Sequence, residues 1–450
     1  MIYKVATMMA MFGAAAAEHW AVIVAGSAGY GNYRHQADAC HAYQVVTAGG
    51  IKPENVILLA VDDIANYRTN PFPGQVFNKP TDAGTPGVDV YDGCVIDYKG
   101  TDVTPETFTK VLTGDDSAGG KVLKSGADDR VFVNFVDHGA VGLIGFPTSQ
   151  MHATELLAAL QKMHDASMYK ELVFYLEACE SGSMFANLPA NMNIYATTAA
   201  NGKESSWGTY CMPDDKVDGK EIHSCLGDLY SVNWMEDTDK GMASEVWRAP
   251  PPLFPLSPQP PFLTPFPLPS PQTLEAQFNT VKTETAKSHV MMYGDATIDA
   301  EVVSNFQGTT DSAAATKGAA RQLFEAPKPK HASTDLKSAD AEIASAFSRF
   351  MHLDFDDEAA EELLAGIKDR REAKTRFAKV VKSVQGAKEL KGLDGVKVDV
   401  DCHYQAHKAY VKSCGEWTTG ALKHSATLAE LCHTTGGDAK PIMAALAEAC

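Results

Sequence analysis

Two apolar segments that end in the same way limit the folds available to this chain more than any other feature. Residues 172–176 (LVFYL) lead into Glu177 and Cys179, and residues 130–136 (RVFVNFV) lead into the Asp-His-Gly turn at 137–139. Short, continuous apolar runs are typical of strands that are covered on both faces, as in parallel sheets with helices on either side. The residues that follow such strands lie at one edge of the sheet, where α/β proteins place their functional groups.

Cys179 and His138 stand at these two strand ends and are the first candidates for chemistry. A thiol with an ordinary pKa of about 8.5 needs a neighbouring base or cation to become a good nucleophile near neutrality. His138 can supply that base if the two strands are parallel neighbours. Taken singly, Cys179 could be an ordinary buried cysteine and His138 a capping residue, but the shared pattern of the two strand ends favours a catalytic pair.

Further strands and helices alternate along the first 200 residues. The predicted strands are 19–26, 55–61, 131–136, 173–176 and 193–198. Three helices are predicted: one that ends at residue 46, one within residues 99–112 with Thr104 as its N-cap, and one at 152–168. Residues 66–129, rich in proline, glycine and aspartate, are expected to form a long surface excursion. This alternation predicts an α/β fold with a mostly parallel sheet flanked by helices.

Composition and the N-terminal segment indicate a compartment and exclude some partners. The 450 residues are 45% hydrophobic, enough for a sizeable core and two domains, and the formal net charge of −18 argues against nucleic acid or an anionic membrane as the main partner. Residues 1–17 combine Lys4, an apolar run and small residues, as a secretory signal peptide does, with a buried N-terminal helix as the alternative. No other segment approaches the roughly 20 apolar residues of a membrane anchor, so a soluble protein of the secretory route is expected.

The rest of the chain divides into a catalytic domain at 18–300, a linker at 301–335 and a helical domain at 336–450. Residues 246–272 contain 11 prolines, which exclude a helix or a central strand. This segment is either a proline-rich segment that binds a partner or a retained intron. The intron interpretation rests on its first residue, a valine, whose codons begin with GT, and on its last residue, a glutamine, which the codon CAG can encode. Apolar faces are predicted on three helices of the last domain: Ile343, Phe347, Phe350 and Met351; Leu363, Leu364 and Ile367; Phe377, Val380, Val381 and Val384.

The nine cysteines form an odd set. Cys211 and Cys225 flank a polar loop that a disulfide could close, whereas Cys40 is interpreted as a core residue and Cys94 is uninformative. Of the cysteines before residue 400, only Cys179 has an activating context. The four cysteines after residue 400 are expected to form two bridges, with three possible connectivities: Cys402, Cys414, Cys432 and Cys450.

Five segments together resemble the legumain family of asparaginyl endopeptidases, which includes the plant vacuolar processing enzymes. They are residues 19–44, 137–139, 177–185, 195–211 and 225–237. The resemblance extends from residue 19 to residue 450 apart from the proline-rich segment. It implies a caspase-like α/β fold, peptide substrates with Asn at P1, and a C-terminal prodomain that covers the active site at neutral pH and leaves on acidification. A vacuolar or lysosomal location, or secretion, is implied as well.

The resemblance also implies a role for each catalytic residue. Cys179 would be the nucleophile, His138 the base, and Asn32 the residue that orients the imidazole. The backbone N–H groups of Gly139 and Cys179 would form the oxyanion hole. Asp137 resembles the family residue that forms a succinimide and is associated with peptide ligation. No cofactor and no metal are expected.

The specificity pocket implied by the same motifs contains both positively and negatively charged side chains. An asparagine amide offers one acceptor oxygen and a donor NH2 group, so an arginine placed beside carboxylates satisfies both. An aspartate would fit only when protonated, which predicts cleavage after Asp at acid pH. The expected pocket residues are Arg34, His35, Glu177, Ser205, Ser206 and Asp228.

The resemblance assigns prodomain bridges Cys402–Cys432 and Cys414–Cys450. No asparagine follows Asn305, so maturation is expected to use Asp335, Asp340 or another protease. At low pH the acidic catalytic half loses charge while prodomain histidines gain protons, which predicts a weaker attraction. These histidines are His352, His403, His407, His424 and His433.

Two other functions remain alternatives to the peptidase. The first is the related transamidase that attaches lipid anchors, against which the soluble helical C-terminal domain and the missing membrane anchor argue. The second is a non-catalytic binding protein, in which the helical domain or the proline-rich segment contacts partners. Turnover that depends on Cys179 would separate the peptidase from the binding protein.

Overall fold

The computed structural model describes residues 17–246, 271–308, 334–353, 356–385, 390, 392–394 and 396–450. Three of the predicted regions lie mostly outside these described residues: the signal peptide (1–16), the proline-rich segment (247–270) and the linker (309–333). Within the described ranges, no helix is both long and apolar enough to span a membrane.

The secondary structure alternates in the first domain and is helical in the last. In chain order the strands are β1 (His19–Ala25), β2 (Val56–Leu59), β3 (Arg130–Val136), β4 (Gly139–Ala140), β5 (Leu143–Phe146), β6 (Ser149–His152), β7 (Glu171–Glu177), β8 (Ile194–Thr198), β9 (Trp207–Thr209), β10 (Lys216–Val217), β11 (Lys220–Glu221), β12 (Gly227–Asp228), β13 (Met291–Gly294) and β14 (Leu336–Lys337). The helices are α1 (Tyr33–Ala48), α2 (Pro105–Leu112), α3 (Ala153–Asp165), α4 (Leu229–Val246), α5 (Leu274–Glu284), α6 (Ser304–Gln307), α7 (Ser338–His352), α8 (Asp357–Gln385), α9 (Val400–Cys414), α10 (Thr419–Leu422), α11 (Ser425–Thr434) and α12 (Lys440–Ala449).

A six-stranded sheet in the order β13-β8-β7-β3-β1-β2 forms the centre of the first domain. Its strands are parallel except β13, which runs antiparallel to β8 at the edge. Helices α2 and α3 pack on one face, and α1, α4 and α5 pack on the other. The predicted mostly parallel sheet flanked by helices is therefore confirmed. The pairing of Val136 with Glu177 brings the ends of β3 and β7 together at one edge.

The N-terminal end of the predicted linker (301–335) overlaps the folded first domain. Val303 and Phe306 are buried, and α6 packs against β1 and β3, so residues 301–308 belong to the first domain. Their apolar side chains cover the sheet, which composition alone did not indicate. At the other end, β14 pairs antiparallel with β9, joining the C-terminal domain to a small sheet of the first.

The C-terminal helices pack around a core that includes Phe377 and Val380, as predicted. The apolar faces predicted on α7 and the start of α8 are instead largely exposed: Phe347, Phe350, Met351, Leu364 and Ile367. The buried face of α7 is the opposite, serine-rich one, which lies against the first domain. Helical periodicity identified the two faces but not the one that would be covered.

All cysteines except Cys179 are paired. Cys40 is buried in the core, as predicted, but a disulfide that the sequence did not indicate also joins it to Cys94 and ties α1 to the surface excursion. That partner lies in an irregular loop, where no sequence pattern reveals spatial proximity. The other bridges have the predicted pairings: Cys211–Cys225, which closes the polar loop, and the two prodomain bridges implied by the resemblance, Cys402–Cys432 and Cys414–Cys450.

Candidate active site

Cys179 and His138 follow the neighbouring parallel strands β7 and β3. The backbones that carry them are in close contact, since a Cβ added to Gly139 would lie 2.4 Å from the carbonyl oxygen of Cys179 and 3.2 Å from its nitrogen. Any side chain at residue 139 would force the two strand ends apart. The thiol is buried, with Sγ 3.7 Å from the Ser206 hydroxyl.

Asn32 fixes the orientation of the His138 ring. Its Oδ1 lies 2.8 Å from His138 Nε2, while its Nδ2 donates to the Ala28 carbonyl at 3.0 Å. Because the amide nitrogen is already used, the oxygen must face the ring. The His138 Nε2–H then donates to Asn32, which leaves Nδ1 as the unprotonated, basic nitrogen.

Burial keeps both reactive groups neutral in this form of the molecule. It raises the pKa of the Cys179 thiol to about 12, and the Glu180 carboxylate adds to the rise. It lowers the pKa of His138 to about 3, and the charges of Arg34 and Arg370 add to the fall. Arg370 belongs to α8 of the C-terminal domain, so the docked domain contributes to holding the imidazole neutral.

Arg34 and Asp228 form a fully buried ion pair beside this strand edge, with Arg34 Nε 2.9 Å from Asp228 Oδ1. Glu177 lies on the same side, where its Oε2 accepts from the backbone and hydroxyl of Ser231. Asp228 Oδ2 and Glu177 Oε1 have no hydrogen-bond partner among the described residues. Buried carboxylate oxygens are costly without a donor, so this pocket is suited to a ligand that supplies one.

Burial raises the pKa of both pocket carboxyls, Glu177 and Asp228. Their mutual repulsion raises that of Glu177 further, whereas Arg34 opposes the rise at Asp228. One arginine faces more than one carboxyl group, so the pocket retains protons at a pH where exposed carboxyls have lost them. Ser206, the residue before β9, is buried, and Ser205 is half-buried.

His35 and Asp137 connect the Arg34–Asp228 pocket to the strand end that carries His138. The His35 Nδ1 lies 2.6 Å from the Ser27 hydroxyl and 3.1 Å from Asp137 Oδ1, and its Nε2 lies 3.5 Å from Asp228 Oδ2. Burial lowers the pKa of His35 well below its ordinary value and raises that of Asp137 to about 7. The structure therefore brings every predicted site residue to one edge of the sheet.

Sequence reasoning missed Asp38, which holds the backbone of the pocket residue Asp228. It is fully buried; Oδ2 accepts from the Asp228 backbone at 3.0 Å and Oδ1 from Asn78 at 2.7 Å. Its spacing of one helical turn from Arg34 on α1 was the available signal. Ser231, three residues after Asp228, was also missed, and its contact with Glu177 follows from the start of α4.

Residues 334–338 of the C-terminal domain cover this pocket. β14 pairs with β9 in antiparallel register, Leu336 opposite Gly208 and Lys337 opposite Trp207. The following residue, Ser338, is buried and accepts a hydrogen bond from Arg34 Nη2 at 2.8 Å through its hydroxyl. An extended segment thus ends with its side chain on the pocket arginine.

The predicted cleavage sites Asp335 and Asp340 do not face that arginine. Asp335 accepts from the Thr209 hydroxyl at 2.8 Å, and Asp340 pairs with Arg370 at 2.7 Å in the first turn of α7. A cavity of about 500 Å³ between the two domains lies over His138 and Asn32 and is closed by α7, α8 and the α9–α10 segment.

A mostly parallel sheet with a cysteine and a histidine at the carboxyl ends of adjacent strands places the chain in the class of α/β proteins with a thiol–imidazole site. The model of the Peptidase C13 family matches residues 19–247 and 268–309, and the model of the legumain prodomain matches residues 346–450. The chain belongs to the Peptidase C13 family and ends in a legumain prodomain.

Curated relatives align with about two thirds of this chain. They include a hemoglobinase of Schistosoma japonicum (46% identity, 65% of this chain and 61% of the relative), mouse legumain (46%, 65% and 59%) and the vacuolar-processing enzyme beta-isozyme of Arabidopsis thaliana (43%, 64% and 56%). The aligned region therefore spans about three fifths of each relative. Among solved structures, caspase-1 from Spodoptera frugiperda is similar with a TM-score of 0.35 and 10% identity, covering 66% of this chain and 93% of that one.

Proposed function

We propose that the chain is the zymogen of a cysteine endopeptidase that cuts after asparagine, and after aspartate at acid pH. The observation that carries this proposal is the buried Arg34–Asp228 pair with two unpartnered carboxylate oxygens beside Cys179. The names of the relatives, legumain and vacuolar-processing enzyme, support it. Such an enzyme would work in an acidic vacuole or lysosome of the secretory route, or after secretion.

Cys179 and His138 would carry out acyl transfer. As Cys179 Sγ bonds to the scissile carbonyl carbon, its proton passes to His138 Nδ1, and the N–H groups of Gly139 and Cys179 receive the oxyanion. The C–N bond then breaks, and the imidazolium returns the proton to the leaving amine. A water molecule then gives a proton to His138 as its oxygen bonds to the acyl carbon; the C–S bond breaks, and the imidazolium returns the proton to the Cys179 sulfur, which restores the thiol. An amine in place of that water would give ligation, the reaction associated with the family residue that Asp137 resembles.

The pocket explains a preference for asparagine. Arg34 can donate to the side-chain oxygen, and the free oxygens of Glu177 and Asp228 can accept from the NH2 group. A protonated aspartic acid offers the same pattern with an O–H in place of the N–H. An ionised aspartate offers acceptors only and would meet the carboxyl groups of Glu177 and Asp228 unfavourably.

The C-terminal domain would act as an intramolecular inhibitor. Its segment at 334–338 lies along β9 as an extended peptide, and Ser338 occupies the position on Arg34 that a substrate side chain would take. Helix α7 begins at this same residue, so the peptide bond that follows it is held in a helix. The segment would therefore block the pocket without presenting a cleavable bond.

A panel of matched fluorogenic peptides that differ only at P1 tests the proposed specificity. After acid treatment, the Asn peptide should be cut at least about 10³-fold faster than its Ala counterpart, because the site's buried polar groups are left unpaired by alanine. The ratio of Asp to Asn cleavage should rise about 50-fold between pH 6 and pH 4, following protonation of an aspartate with a pKa of about 3.9. Turnover that persists in Cys179→Ala, or a constant Asp to Asn ratio, would contradict the proposal.

The inhibitory contact gives a second prediction. Ser338→Ala removes the hydroxyl that accepts from buried Arg34, so the active site should open more readily at pH 7 by about tenfold. The rate at which a thiol-reactive peptide labels Cys179 in the zymogen measures this opening. Thr375→Ala is the matched control, because it deletes an exposed hydroxyl elsewhere in the same domain. Equal labelling of both variants would rule out Ser338 as the blocking residue.

A further inference from the structure

A group of potential metal ligands lies at the junction between the two domains, away from the active site. Glu221 ends β11, His223 follows two residues later, and His352 is the last residue of α7. One ligand atom from each lies within 4.8 Å of those from the other two. The first domain supplies two of these side chains and the prodomain supplies the third.

Both imidazoles are oriented by Ser348, one turn before His352. His352 Nδ1 lies 3.1 Å from the Ser348 carbonyl oxygen, and His223 Nδ1 lies 2.9 Å from the Ser348 hydroxyl. A ring that donates one N–H to an oxygen keeps the other nitrogen free as a ligand, which is the usual arrangement around histidines that bind metals. The two rings lie nearly parallel, with centroids 5.8 Å apart.

Two carboxylates, Glu221 and Asp215, lie beside His223. The Glu221 Oε1 pairs with Lys216 at 3.1 Å, whereas its Oε2 lies 3.8 Å from His223 Nδ1. The backbone of His223 donates to the buried carboxylate of Asp215, whose second oxygen has no partner among the described residues. The nearest competing cation in the prodomain, Arg349, is compensated by its own ion pairs with Glu362 and Asp356.

We propose that Glu221, His223 and His352 bind a Zn²⁺ ion that joins prodomain helix α7 to the catalytic domain in the latent zymogen. Two imidazoles and one carboxylate, with water in the fourth position, form a ligand set that zinc accepts, whereas Ca²⁺ and Mg²⁺ prefer oxygen ligands alone. His352 is exposed, so its ring is free to adjust toward the other two ligands.

The site exists only while the prodomain is docked, so zinc and docking are linked. A ligand that binds one state alone stabilises it in proportion to 1 + [L]/Kd. Zinc at 100 times its dissociation constant should therefore lower the dissociation constant of the prodomain about 100-fold. This regulation is independent of substrate choice and stands whether or not the enzyme prefers asparagine.

The test is a calorimetric titration of metal-free Cys179→Ala zymogen with ZnCl2 at pH 7. We expect one zinc per chain with a dissociation constant below about 10 µM, and at least tenfold weaker binding in His352→Ala and in His223→Ala. His352 is exposed, so its loss leaves the fold intact. His289→Ala is the matched control, because His289 is exposed and pairs with a single carboxylate, Glu204.

A second measurement uses the same zymogen cleaved within 309–333, so that release of the prodomain can be followed directly. Zinc should slow release at pH 6 in the parent and in His289→Ala but not in His352→Ala. Binding of equal strength in His352→Ala, undiminished binding after removal of the prodomain, or a dissociation constant above about 100 µM would each overturn the proposal.

Discussion

Replacing His138 with alanine should lower kcat/KM for an Asn peptide by about 10⁴-fold, because it removes the imidazole proposed to take the proton of Cys179. Asn32→Ala should cost about 10- to 100-fold, since it removes one hydrogen bond that holds the ring while leaving the base in place. The difference between these two effects separates a catalytic residue from a positioning residue.

The pH profile gives a signature that loss of folding would not produce. Asn32→Asp places a carboxylate 2.8 Å from His138 Nε2, so the pKa of the imidazole should rise, and the acid limb of the rate profile should move to higher pH. A zymogen without His138 cannot process itself, so each variant should be matured by tagged wild-type enzyme that is then removed. Unchanged kcat and an unshifted profile in both Asn32 variants would exclude this role for Asn32.

The main strands and the proposed catalytic pair could be predicted because they rest on local patterns. Apolar runs that stop at polar residues identify β3 and β7, and the rules of parallel sheets bring Cys179 and His138 to one edge. Arg34 and Asp228 were reachable only through the family motifs, because their contact joins residues that lie far apart in the chain. Asp38 shows the same limit, since its spacing of one helical turn from Arg34 is a signal only after the motifs have assigned Arg34 to the pocket.

Contacts between the two domains could not be predicted from the sequence. The pairing of β14 with β9 depends on two short segments that carry no strong strand signal. On α7 the apolar stripe was expected to be covered, yet the covered face carries Ser345, Ser348 and Arg349, which bond to the first domain or stack on its tyrosines. A polar face can be the buried one when most of its groups find partners, and the partners of Ser345 and Ser348 lie in the other domain.

Acidification should act on three histidines that meet where the prodomain lies on the catalytic domain. The ring of His152, at the end of β6, is followed by those of His403 and His407 on α9, with centroids 5.2 and 5.7 Å from it. His152 Nδ1 accepts from the Thr154 backbone, so its Nε2–H faces His403 Nδ1 at 3.0 Å. His403 Nε2–H then faces Ser425.

His407 is held as a neutral acceptor in the same way, because the Trp417 indole N–H donates to its Nδ1 at 3.1 Å. Protonation of any of these rings would add a hydrogen to a nitrogen that now accepts a hydrogen bond, so that two N–H donors would face each other. The other charged groups nearby are Lys408, which opposes protonation, and Glu155, which bonds to the Tyr404 hydroxyl. The sequence predicted that a charge attraction between the two domains weakens at low pH. The structure indicates instead that the free-energy cost of burying protonated histidines weakens docking.

Burial lowers the pKa of His403 and of His407 to about 4 and that of His152 to about 2. The docked form therefore binds fewer protons than the released form, so docking is strongest above pH 6.5 and weakens as the pH falls toward 4. A histidine that regains an ordinary pKa on release contributes at most about 2 kcal/mol at pH 5, or about 30-fold. Ion pairs of Arg68 with Asp356 and Glu358, which lower the pKa of both carboxyls, are lost at still lower pH.

The dissociation constant of the prodomain should consequently rise by about 10³-fold between pH 7 and pH 5, with two to three protons taken up. Size-exclusion chromatography of the Cys179→Ala zymogen, cleaved within 309–333, measures it. His403→Gln keeps one acceptor and one donor without titrating, so the proton uptake should fall by about one and the midpoint of release should move to lower pH. His433→Gln, at an exposed site of the same domain, should change neither quantity. If His403→Gln releases its prodomain with the parent's slope and midpoint, the acid response resides elsewhere in the interface.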